Sequence, residues 1–183
     1  MSHARHLLLL VIALGIAACS TPYQATFLSG GYSEKQLEAD IWRIEFAGNG
    51  FTTQETDPTW LFKGFKDDIM VDVIFRSTGD IYLDDEMLAR ARVVDVRGCA
   101  ARIIPPEDLL IIKALAAAEH MPHHWHDALG VITGSDLDWD YLVSRARRHG
   151  ARRVLSLLLY AQSNDLGVPL KPVRALFESI FES

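Results

Sequence analysis

The sequence predicts an α+β fold with a small mixed sheet and a helical C-terminal half. Three observations carry that expectation. Lys66–Phe75 (KDDIMVDVIF) places Ile69, Val71, Val73 and Phe75 on one side of a strand and Asp68, Met70, Asp72 and Ile74 on the other. VVDV and AARII, separated by Arg97-Gly98, read as a hairpin. From Pro105 to the end the pattern is helical in every apolar stretch.

The elements follow in order. DIWRIEF alternates Trp42, Ile44 and Phe46 with Arg43 and Glu45, as a half-buried strand does, and Gly48-Asn49-Gly50 is a turn signal. FTTQETDPTWLF leads on to the central unit. Ser77–Asp80 (STGD) is a turn, and YLDDEMLARA suits a short helix with acids first and arginine last, in keeping with the helix dipole. Pro105 and Pro106 end the second hairpin strand and open a helix whose first turn carries Glu107 and Asp108. LLIIKALAAA is apolar nearly all round, so this helix is expected at the centre, with Leu109, Ile112 and Leu115 buried and Lys113 as its interior charge. SDLDWDYLVSRARRHG has capping acids at its start, a stripe of Trp139, Leu142, Val143 and Ala146, and Gly150 as its stop. ARRVLSLLLYAQSNDLG and PVRALFESIFE supply two further helices, the second started by Pro172.

Composition bounds the class. A chain of 183 residues is long enough for one well-packed domain, and 49% hydrophobic with 23% charged residues excludes a disordered chain. A net charge of -6 argues against non-specific nucleic-acid binding, and two cysteines, Cys19 and Cys99, make no disulfide framework or cysteine-rich zinc site. At the N-terminus, Arg5 precedes the apolar run Leu7–Ile16, which is too short to span a bilayer and right for a signal-peptide core. The small residues that follow, Ile16-Ala17-Ala18-Cys19, look like a bacterial lipobox, which implies cleavage before Cys19 and acylation of its thiol. Residues 1–18 are therefore expected to be a lipoprotein signal peptide. Cys19 would carry the lipid anchor to the membrane. Ser20, rather than an aspartate, points to the outer membrane of the cell envelope.

The stretch after Cys19 has further pieces. Tyr23, Gly30-Gly31-Tyr32-Ser33, Trp42-Arg43-Ile44-Glu45-Phe46 and Gly48-Asn49-Gly50-Phe51-Thr52 occur in an order that resembles the mature N-termini of a family of small proteobacterial lipoproteins. Residues 19–56 are accordingly read as a lipoprotein-like leader and first strand, with the resemblance ending at Thr53.

The remainder, residues 57–183, resembles the nucleotidyltransferase-like (polymerase-β-like) superfamily. The pieces are Val71-Asp72-Val73-Ile74-Phe75, then Pro106-Glu107-Asp108-Leu109 with Lys113, then His126-Asp127-Ala128-Leu129. Such enzymes hold magnesium and a nucleoside triphosphate between converging carboxylates. The resemblance implies Asp72 as the third metal-binding and catalytic carboxylate and Lys113 as a nucleotide-binding cation. A solvated strand position for Asp72, and an ion pair between Lys113 and Asp127, are the plainer readings. The family's first motif, a pair of acids after a Gly-Gly or Gly-Ser turn, is missing: after Gly30-Gly31 comes Asp40-Ile41-Trp42, with tryptophan where an acid is needed. The fold expected is thus a truncated nucleotidyltransferase-like domain. Its expected role is that of a catalytically degenerate binding or structural module in the envelope. The alternative is an active, cytoplasmic, magnesium-dependent nucleotidyltransferase with an accreted leader.

Two clusters complete the inventory. His120, His123, His124 and His126 with Asp127 are dense enough for zinc, although Pro122 is expected to break the helix between them. Arg145, Arg147, Arg148, Arg152, Arg153 and His149 surround Gly150, either as two solvated helix faces or as an anion contact.

Overall fold

The structure, a computed structural model, describes residues 46–57, 60–74, 76–96 and 99–181. They form two units: one up to Arg76 together with Arg92–Ile103, the other Ser77–Ala91 together with the chain from Ile104 onward. The expected signal peptide, Cys19, Trp42 and most of the strand expected over residues 40–46 lie outside the described residues. Within the described residues the α+β class holds.

The first unit is built on strands β1 (Thr52–Asp57), β2 (Leu61–Lys66) and β3 (Ile69–Ile74), in the order β1-β2-β3 and antiparallel throughout. The strand expected from Lys66 starts three residues later. Lys66 belongs to β2, and Asp67 and Asp68 are the hairpin turn, with φ of 49° and 63°. Two successive left-handed residues make the type I′ turn, whose twist matches that of the flanking strands, and aspartate tolerates this region better than most side chains. Alternation alone could not separate β2 from β3 here, because Lys66 and Asp68 fall in the same phase as Asp72 and so extend the pattern across the turn.

Phe46 is the first described residue, and it is helical rather than extended; Asn49 N–H donates to its carbonyl at 3.2 Å. Its ring, with Phe62 and Val73, forms the buried core of this unit, and Phe51 meets Phe46 edge-on at 4.9 Å between centroids. Gly64 makes this possible. A Cβ at that position would stand 2.3 Å from the Phe46 ring. A second, two-stranded antiparallel sheet is the expected hairpin, β4 (Arg92–Val96) with β5 (Cys99–Ile103), in a register that pairs Val96 with Cys99 and Arg92 with Ile103.

The second unit is helical. Helix α1 (Asp85–Arg90) is capped by Asp84, whose carboxylate accepts the Met87 N–H at 2.8 Å. Before it, Ser77–Ile81 closes the expected STGD turn with Gly79 at φ 81°. Helix α2 (Pro106–Ala116) packs against α3 (His123–Gly134), α4 (Trp139–His149) and α5 (Ala151–Ser163), while α6 (Leu170–Phe181) lies on α4 and α5. Helix α4 has the expected stop: Gly150 N–H bonds the Ala146 carbonyl at 2.8 Å. Gly150 also leaves room for Leu115, which would stand 2.5 Å from a Cβ there. Its φ of 176° is ordinary extended backbone.

Helix α2 is central, as expected, but not with the expected face inward. Leu110, Ile111 and Ala114 are buried, together with Glu107, Asp108 and Lys113, whereas Leu109, Ile112 and Leu115 are half-buried. A helix that is apolar nearly all round has no stripe, so periodicity cannot choose its face. The buried acids at its first turn do so instead. Leu110→Ala should therefore lower the unfolding free energy by about 2–5 kcal/mol, measured by denaturant titration, and Ile112→Ala should cost clearly less. Equal losses would mean that the inward face is wrongly assigned.

Candidate functional site

Asp72 and Lys113, the candidate site residues among the described ones, each have a definite partner. Asp72, on β3, stands directly across from Lys63 on β2. Side chains opposite each other on an antiparallel pair share a face, so the lysine ammonium reaches the Asp72 carboxylate at 2.6 Å. Both side chains are about four-fifths buried, with exposures of 20% and 18%. Asp72 is therefore neither free nor simply solvated. Lys63 is four residues before the turn and Asp72 four residues after it, a spacing that brings the two together once the Asp67-Asp68 turn is recognised.

Lys113 belongs to the other unit. Buried on α2, it donates to the Asp127 carboxylate of α3 at 2.7 Å and lies 3.4 Å from His124 Nδ1. This is the ion pair anticipated as the plainer reading. The bond from Lys113 holds Asp127 below the ordinary carboxylate range, against the opposing effect of its burial. Burial, then the charges of Lys113 and His123, push the His124 imidazole below the ordinary histidine value. A neutral ring can accept from the ammonium, so the three groups are mutually consistent.

The histidine cluster divides at Pro122, where α3 begins. His120 precedes the helix, and His123 and His126 are exposed on it. Among the described residues no three histidine, cysteine or acidic side chains are placed to hold a metal ion. The described donor set does not fit a two-magnesium centre: the Asp72 carboxylate is already engaged by a cation, and the other carboxylates that converge do so on arginine.

That convergence is the feature the sequence reading missed. Asp108, in the first turn of α2, accepts from Arg145 Nε at 2.7 Å and from the Tyr141 hydroxyl at 2.7 Å. Arg145 donates through Nη1 to the α1 cap, Asp84, at 2.5 Å. Glu107 accepts the Asp138 N–H at 2.6 Å, and Asp138 in turn caps α4 at Tyr141 and binds Arg90 at 3.0 Å. The Arg90 guanidinium lies 3.9 Å above the Tyr141 ring. Three helices, α1, α2 and α4, are thus joined by charge-assisted bonds around one guanidinium. Arg145 and Asp108 are 0% and 2% exposed, and Arg145 Nη2 is buried without a partner.

The electrostatics match the geometry. Burial works against the charge of Arg145, and the bonds from Asp84 and Asp108 outweigh it, so its pKa rises. Burial likewise pushes Asp84 up, but the Met87 N–H and Arg145 hold it below the usual range. Tyr141 is pushed up by burial and by the Asp108 carboxylate it donates to, which keeps the phenol protonated. Chemically this is a clamp of charge-assisted hydrogen bonds around a buried guanidinium.

The sequence did hold a signal. Tyr141, Leu142, Arg145 and Ala146 fall on the buried stripe of α4, and an arginine inside an apolar stripe needs a buried acid. The rest of the basic cluster is engaged as well. Arg148 binds Glu86 at 2.6 Å, Arg147 and Arg153 donate to the carbonyls of Ala175 and Ala117, and Arg152 lies over Phe181.

Comparison with protein families places part of this chain. Residues 34–133, which are 100 of the 183, match the family described as "Nucleotidyl transferase of unknown function (DUF2204)", and the chain belongs to that family. The match includes Asp72, Asp108, Lys113 and Asp127, and it begins inside the segment expected to be a lipoprotein leader. No curated protein and no solved structure matches the chain.

Two outcomes follow from these contacts. Arg145→Met strands Asp108 in the core and should destabilise by about 3–5 kcal/mol, while Arg145→Met with Asp108→Leu should recover much of the loss. Equilibrium unfolding of the single and double variants measures it; a double variant no better than the single would refute the pairing. The second concerns pH. His124 has a folded pKa below its ordinary value of 6.5, so the unfolded chain takes up the proton first. Its contribution is full above that value and is lost as the pH falls through the folded pKa. The depressed carboxyls of Asp84 and Asp127 extend the loss further into acid. Burial, then the charges of Arg145 and Arg148, depress His149 in the same direction as His124. Melting temperature should therefore fall in two stages on acidification, and His124→Gln should reduce the first without abolishing it.

Proposed function

We propose that this chain is an envelope-anchored lipoprotein whose nucleotidyltransferase-like domain is catalytically degenerate and serves as a binding or structural module. One observation carries the degeneracy: the Asp72 carboxylate is held by Lys63 at 2.6 Å on the face of its own hairpin. A metal ion at Asp72 would have to displace a cation that is already hydrogen-bonded there. Lys113 is similarly committed to Asp127, which favours a structural role over a phosphate contact. Support for the anchor comes from the order of Arg5, the apolar run Leu7–Ile16 and Cys19 after two alanines. Nucleoside triphosphates are scarce in the envelope, so loss of transfer chemistry and an envelope address are consistent with each other.

The second reading is a cytoplasmic, magnesium-dependent nucleotidyltransferase, favoured by the description of the matched family. In that case Asp72 is the metal-binding carboxylate, released from Lys63 when the ion arrives.

The two readings separate in one set of measurements on the full chain. With magnesium and labelled nucleoside triphosphates, no label should enter the protein, RNA or a partner. Asp72→Asn should lower stability by up to about 1 kcal/mol, the range for a partly exposed ion pair, because Lys63 loses its partner. In cells, an acyl analogue should label the wild type and not Cys19→Ser. Magnesium-dependent labelling that disappears in Asp72→Asn, with the chain unacylated in the soluble fraction, would establish the second reading.

A further inference from the structure

The outer faces of the last two helices combine exposed apolar side chains with basic ones. On α6 the outward stripe is Leu170, Arg174, Phe177 and Phe181, at spacings of four, three and four residues, so all four lie along one side. Leu170 is 71% exposed, Phe177 49% and Phe181 58%, and the two phenyl rings lie 4.8 Å apart. The neighbouring helix α5 presents Arg152 and Leu159, with the Arg152 guanidinium 5.3 Å from the Phe181 ring centroid. No exposed position of α5 is acidic, and α6 exposes one acid, Glu178. In a chain of net charge -6 this is a local reversal of sign.

We propose that this α5–α6 face docks on an anionic phospholipid surface. The proposal rests on the anchored reading of Cys19. Phenyl rings and leucines interleaved with arginines suit the boundary between headgroups and acyl chains, where the rings sink and the guanidinium groups meet phosphate. A protein partner would need a matching acidic face, whereas anionic headgroups offer that charge across the membrane surface, and Arg152 and Arg174 are both exposed on this face. A lipid anchor alone gives a loose tether; an amphipathic basic face supplies the second attachment that fixes the domain at the surface.

The test is photo-crosslinking in cells that express the full chain, with a benzophenone amino acid at Phe177 and, as a control, at Ser144, an exposed position on α4. The expected result is a light-dependent adduct with the mass of a phospholipid at position 177 and none at 144. Adducts to a second copy of the chain, to another protein, or equal lipid adducts at both positions overturn the proposal, as does the absence of any adduct at 177. The same cells carry the acyl analogue, so the two ideas fail separately. Acylated chain without a lipid adduct at 177 refutes the docking face alone, and unlabelled chain refutes the anchor. With purified chain and phosphatidylglycerol vesicles, Arg152→Gln and Arg174→Gln should each weaken binding about fivefold, and phosphatidylcholine vesicles should show no such dependence on the arginines. Unchanged binding by both variants would contradict the headgroup contact.

Discussion

The helical unit depends on a guanidinium that has no access to water. Burying Arg145 is unfavourable in itself, and the desolvation is offset only because Asp108 and Asp84 hold it from two other helices and Tyr141 completes the coordination of Asp108. Hydrophobic packing would allow α2 to roll about its axis, since nearly any face of it is apolar. The buried pair does not, because a rotation that removes Asp108 from Arg145 strands both charges. The pair therefore ties α2 to one orientation. It also explains why the helix is entered through Pro105-Pro106-Glu107-Asp108: the prolines fix the first turn, and the two acids face inward, one to Arg145 and one to the start of α4.

The sheet unit is organised by a different constraint, close approach. Phe46 lies on the backbone of Gly64, and that contact anchors the chain before β1 to the hairpin behind it. The hairpin then sets the surroundings of Asp72. Once Asp67 and Asp68 form the turn, register alone puts Lys63 opposite Asp72. A carboxylate within the family-matched segment thus acquires a cation through the geometry of its own strand pair.

Charge matching recurs across the described residues. Lys63 with Asp72, Lys113 with Asp127, Arg145 with Asp108 and Asp84, and Arg148 with Glu86 draw the candidate catalytic and anion-binding groups into internal contacts. Membership of a nucleotidyl transferase family gives the ancestry of the fold, and these contacts bear on what this chain does with it. Where charges face outward with apolar company, on α5 and α6, the pattern is of a surface rather than of a pocket.

The sequence by itself determined the features set by local chemistry. The STGD turn, the hairpin around Arg97-Gly98 as a pair of strands, the caps at Asp84 and Asp138, and the stop at Gly150 depend on residues within a few positions of one another. The Lys113–Asp127 pair was also legible, because a lone lysine in an apolar helix requires a nearby acid. Tertiary structure decided what lies beyond that range. Which side of α2 faces inward, which acid Arg145 meets, and what neutralises Asp72 depend on partners 9 to 61 residues away in the chain. Local propensity carries no record of such pairs, since each charge by itself suits an exposed helix turn or strand edge. Only packing, which removes water from one side of each element, turns them from solvated charges into mutual requirements.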